Sequence, residues 1–130
     1  MKYNKTLVYL AACIGMVFLG IAFIVVGSVL PSLTAKYSLD AVGSSSLVSL
    51  LPVGVLTGSL LFGIIVDRYG YKSLLVVSTL FTLLGIEGLS FFDNLNILRI
   101  CIFFIGLGGG MLNGSTNALA SDISNDKERG

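Results

Sequence analysis

The chain contains no histidine, only two cysteines and two prolines, and little charge: 12% of its residues are Asp, Glu, Lys or Arg. Without histidine there is no imidazole metal ligand and no imidazole proton relay. Cys13 and Cys101 lie far apart, each inside an apolar run, and show no metal-ligand spacing. They read as small buried hydrophobes, and no metal site is expected. No nucleophile–base pair and no phosphate-binding loop occurs, so the sequence predicts no catalytic residues, no cofactor and no enzyme. No basic stripe is present, which excludes a nucleic-acid binder. The scarcity of charge itself excludes an ordinary soluble domain, which carries about 25% charged residues.

What the chain has instead is apolar length. Of its 130 residues, 55% are hydrophobic, and the mean hydropathy is +0.95. A domain this short lacks the interior volume to hide so much apolar surface. The excess is expected to face lipid, which makes membrane lipid the first partner. Residues 6–35, 41–66 and 100–121 carry no charge, and residues 73–92 carry only Glu87. A spanning helix needs roughly 20 mostly apolar residues. These runs therefore predict an all-α membrane protein with four transmembrane helices, at about 7–33, 44–66, 73–91 and 96–121. The alternation of a barrel strand is absent, and backbone in lipid must satisfy itself within a helix. The first run is about twice the length of a signal-peptide core and is read as a retained helix.

Six of the eight basic residues, Lys2, Lys5, Arg68, Lys72, Lys127 and Arg129, fall on one side of the membrane in this arrangement; Lys36 and Arg99 fall toward the other. The positive-inside rule then places both ends of the segment in the cytoplasm, and the expected location is a bacterial inner membrane. Pro52 lies inside the second helix, where it removes a backbone donor and predicts a kink. Gly54 and Gly58 in the second helix, and Gly106, Gly110 and Gly114 in the fourth, form small faces suited to close helix contact. Their partners are left open at this point.

Two groups of polar residues interrupt the apolar background. In the fourth helix, Asn113 and Asn117 are four apart and Ser121 continues their face. Such a stripe either bonds a neighbouring helix or lines a solute pathway, and amides suit sugar hydroxyls. Glu87 and Arg99 are the acid and base within the spans. Both lie roughly 8–10 Å below the turn near Asp93, and matching depth predicts an intramembrane ion pair that clamps the helices. Snorkelling of Arg99, its pairing with Asp93, or a proton or substrate site at Glu87 are the alternatives.

The most concentrated signal is "FGIIVDRYGYKS", residues 62–73, which sets Asp67, Arg68 and Lys72 between and beside Gly63 and Gly70. The pattern G-x-x-x-D-R-x-G-x-K on a short loop between the second and third helices resembles the signature loop of the major facilitator superfamily of transporters. Tyr71 stands where that family usually has a basic residue. The resemblance implies that these four helices are the first part of a twelve-helix fold. Asp67, Arg68 and Lys72 would then be gating residues, latching the cytoplasmic side against the other half. The missing C-terminal helices become an expected partner, with a small-molecule substrate and a proton or sodium as coupling ion.

The glycine-rich, N-x-x-x-N run of the fourth helix is similar to the fucose and glucose/galactose symporter branch. Many drug exporters of the family have an arginine at the place held here by Ile102. The first helix lacks the carboxylate that proton-coupled members of the sugar branch carry there. The expectation is thus an N-terminal fragment of a sugar-like solute transporter. A drug or metabolite exporter of the same family is the first alternative. A self-contained four-helix oligomer or an accessory subunit is the second.

Overall fold

The computed structural model describes residues 5–128, with the side chains of residues 5, 8, 12, 120 and 122–128 outside the description. Lys2 and Arg129, and the side chains of Lys5 and Lys127, which the charge argument used, therefore fall outside what is described. Among the described residues the chain is helical throughout, with no strand: α1 Lys5–Lys36, α2 Ala41–Phe91 and α3 Leu95–Glu128. All three are long and apolar enough to cross a membrane.

The second and third expected helices belong to one element. α2 has 51 residues, and a straight helix of that length would reach roughly 75 Å, against about 30 Å of hydrocarbon. The break that resolves this falls at Gly70, whose φ of 76° and ψ of 168° leave the helical region. The expected loop shrinks to this single residue. Pro52 also sits within α2 but does not interrupt it; the departure from helical backbone angles lies at Gly70.

Neighbour relations show that the two arms of α2, residues 41–69 and 71–91, fold back on each other. In the first arm, Gly54 lies against Phe103–Leu107, Gly58 against Leu107–Met111, and Phe62 against Gly114. That arm runs parallel to α3. In the second arm, Ser78 and Thr82 lie against Gly108, Gly85 against Ile105, and Gly88 against Cys101. That arm runs antiparallel. α1 is antiparallel too, with Leu19 against Gly109 and Gly15 against Leu112. α3 is buried along much of its length, whereas α1 and α2 are largely exposed. α3 is therefore the central post, flanked by α1 and both arms.

Small residues set this arrangement. A Cβ added at Gly106 would strike the Leu51 carbonyl oxygen and sit 3.1 Å from the Gly54 Cα; one at Gly110 would strike the Val55 carbonyl. Backbones come this close only where side chains are missing, and in lipid that approach replaces the hydrophobic drive. Ser59 Oγ adds a cross-helix bond to the Gly110 carbonyl at 3.4 Å. Ala22, Val26, Leu47, Ile102 and Ile105 form the buried cluster nearer the 37–40 and 92–94 turns. Leu74, Leu107 and Met111 form the one nearer Gly70. Cys101 is buried and Cys13 half-buried, both as free thiols.

Candidate functional site

The charged loop residues sit where α2 reverses. Asp67, Arg68 and Lys72 are all exposed around Gly70. A positive φ is cheap for glycine and costly for any residue with a Cβ, so Gly70 is what lets helical backbone continue to both sides of a one-residue bend. Arg68 lies 5.8 Å from the ring centroid of its neighbour Tyr69. No ion pair joins Asp67 to Arg68 or Lys72 among the described residues. A Cβ at Gly63 would meet nothing within 4 Å. Gly63 thus fronts open space, unlike Gly54 and Gly58.

Asn113 and Asn117 share one face of α3, both exposed, and Asn117 Nδ2 donates to Asn113 Oδ1 at 3.4 Å. The amides meet along their own helix and do not reach across to another. Ser121 is exposed one turn further on. Asn113 also borders a cavity of about 300 Å³ between α1, the first arm and α3, lined by Met16, Leu19, Phe23 and Val55 among others. Its wall is mostly hydrocarbon, with the Asn113 amide as the polar group that reaches it.

The expected pairing of Glu87 with Arg99 does not form. Arg99 Nη2 donates to Ser46 Oγ at 3.4 Å, while Glu87 is exposed. Equal distance from the turn does not make the two residues partners, because they differ in azimuth. On the second arm Gly85 and Gly88 face α3, so Glu87 between them in sequence points away from it. On α3, Cys101 and Ile105 face that arm, and Arg99, two residues before Cys101, lies on nearly the opposite side. Arg99 accordingly faces the first arm, where Ser46 waits.

Asp93 does not meet Arg99 either. It accepts from Lys36 Nζ at 2.5 Å, and its backbone carbonyl accepts from the Tyr37 hydroxyl at 2.5 Å. Asp40 caps the start of α2, its carboxylate accepting from the Gly43 N–H at 2.8 Å. Ser46, Lys36 and Tyr37 were not singled out from the sequence. Lys36 and Asp93 are 57 positions apart, and no local pattern links residues so distant. The Asp40 cap had a signal, an acidic residue immediately before an apolar helix.

Two comparisons with known proteins bear on this geometry. "Inner membrane transport protein YdiN" of Escherichia coli (strain K12) is 30% identical over 86 residues, which cover 64% of this chain and 20% of that protein. The chain thus aligns with about a fifth of that relative's length. No solved structure matches. The family model described as Major Facilitator Superfamily matches residues 12–130, a stretch that takes in most of α1, the bend at Gly70 and all of α3. With its apolar helices and its charged one-residue bend, this integral membrane chain belongs to the Major Facilitator Superfamily.

Proposed function

We propose that the chain forms part of a secondary transporter that moves a small, sugar-like solute by alternating access. The observation that carries the reading is the state of Asp67, Arg68 and Lys72: three exposed charges at the α2 bend, with no ion pair among the described residues. A carboxylate at a membrane edge is costly unless a cation or helix N-terminus meets it. Charges left open here are available to a second helical bundle, and contacts that form and break there would open and close that side. Alternating access needs two such halves rocking about a midplane site. The chain aligns with only 20% of its relative, which supports its working within a longer protein.

The distribution of basic residues along the sequence favours the cytoplasmic side of a bacterial inner membrane for the Gly70 bend. The sugar preference rests on Asn113, Asn117 and Ser121, an exposed polar stripe in an apolar helix. One observation favours a second reading. The hydrocarbon wall of the cavity beside Asn113 suits a less polar solute, as a drug or metabolite exporter would carry.

The test is uptake of radiolabelled fucose, glucose and galactose by cells making the protein and its Asp67→Asn variant. The expected result is uptake of at least one sugar, reduced in the variant at unchanged membrane abundance. Undiminished uptake by Asp67→Asn would remove the gating role. No uptake of any sugar would remove the sugar reading and leave export to be assayed.

A further inference from the structure

Glycine inside a helix is destabilising relative to alanine, so each one calls for a reason. Gly54, Gly58, Gly106 and Gly110 bring backbones together, and Gly109 lies under Leu19 and Phe23. Gly20 has no reason of that kind: a Cβ there would meet nothing within 4 Å. Of the glycines that meet nothing, Gly20 is the one that borders the cavity between α1, the first arm of α2 and α3.

Position and chemistry point the same way. Gly20 stands at the centre of the charge-free run 6–35, Val55 near that of 41–66, and Gly109 near that of 100–121. All three line the cavity, so the centres of three spans meet there, at the level of the bilayer midplane. Secondary transporters hold their solutes at that level. Asn113 supplies the polar group: its Oδ1 accepts from Asn117, while its Nδ2 has no acceptor among the described residues. An amide donor facing hydrocarbon costs energy that a lipid tail does not return, so lipid is a poor occupant. Among the described residues no charged one lines the cavity, which suits a neutral solute. A mostly apolar wall with a few placed polar groups is the usual form of a small-molecule site, and a volume of about 300 Å³ is at the small end of such sites.

We infer that Gly20 sets the size of the solute held in this cavity, a neutral molecule of monosaccharide size. An acceptor oxygen of the solute takes the Asn113 Nδ2 protons, and its less polar face lies against Phe23 and Val55. The missing side chain at position 20 leaves the room such a solute needs. This inference rests on the transport reading and adds to it the residue that determines size.

The experiment uses the protein in the membrane of the cell that makes it, carrying Cys13→Ser. Gly20→Cys is treated with a water-soluble, membrane-impermeant thiol reagent. Leu84→Cys, at a position 60% exposed on the second arm, is the comparison outside the cavity. The expected result is faster labelling of Gly20→Cys than of Leu84→Cys, slowed about tenfold by a saturating concentration of glucose, galactose or fucose. Uptake of the protecting sugar should fall about tenfold in Gly20→Leu and less in Gly20→Ala. Membrane abundance should hold in both, since the added Cβ meets no neighbour. If Gly20→Leu does not reach the membrane, Gly20→Ala and the labelling carry the test. A Gly20→Cys that stays unlabelled overturns the inference and leaves the cavity to lipid or to another segment. Labelling that none of the three sugars slows overturns it as well, as does uptake undiminished by Gly20→Leu. Protection of Gly20→Cys by a sugar that the wild type does not take up would remove the transport reading and leave the site standing.

Discussion

Lys36 and Asp93 tie the last residue of α1 to the turn between α2 and α3, with Nζ donating to Oδ1 at 2.5 Å. The Tyr37 hydroxyl bonds the backbone carbonyl of the same aspartate. Two adjacent residues thus grip one turn from two sides, one bond being ionic and one neutral. Exposed ion pairs contribute little to stability and are screened by salt. Asp93→Asn should therefore leave the melting temperature in detergent nearly unchanged at both low and high salt, because the Tyr37 bond survives. A large drop confined to low salt would mean that the charge, and not the carbonyl, holds the turn.

Gly110 and Gly63 should respond oppositely to alanine. A Cβ at Gly110 would strike the Val55 carbonyl and lie 2.8 Å from the Ser59 nitrogen, whereas one at Gly63 meets nothing. Overpacking of this kind costs about 1–3 kcal/mol, and rigid backbone cannot move aside as a side chain could. Gly110→Ala should lower thermal stability and the yield of monodisperse protein on size exclusion. Gly63→Ala should behave as wild type in both assays.

Gly70 should tolerate neither alanine nor asparagine. Its φ of 76° with ψ of 168° is a conformation essentially reserved for glycine and costs a residue with a Cβ about 1–3 kcal/mol; the readiness of asparagine for the left-handed helical region does not extend to it. Both variants should melt below the wild type. Equal stability for the three would show that the bend can relax to another conformation.

Glu87 and Arg99 should act independently. With no ion pair between them, a double-mutant cycle of Glu87→Gln and Arg99→Gln should be additive within about 0.5 kcal/mol. Glu87→Gln alone should leave stability unchanged or raise it, since it removes an exposed charge from an apolar span. A coupling energy above about 1 kcal/mol would restore the ion pair that matching depth had suggested.

Much of this arrangement was legible without coordinates. Charge-free runs long enough to cross a membrane force helices, because lipid offers no partner to an open backbone group. The charged stretch around Gly70 marked the reversal, since three charges and a glycine have no other reason to interrupt such a run. The glycine spacings on α2 and α3 announced close contacts. Periodicity fixes which residues share a face, and it did so for Asn113 and Asn117.

What the sequence could not supply was azimuth and pairing across helices. Hydropathy reports depth, and depth alone made Glu87 and Arg99 look like partners. Which side of a helix meets which neighbour depends on how the helices pack around α3, and that is set by several backbone approaches at once. The same packing decided that Gly54 meets Gly106, that Gly58 meets Leu107 and Gly110 meets Val55, that Asp93 goes to Lys36, and that Arg99 faces Ser46. Apolar length by itself determined that this chain lives in a membrane and crosses it as helices. Only the tertiary structure decided which of its few charges meet each other and which are left for something else, because in lipid a charge is placed by its neighbours and not by its sequence.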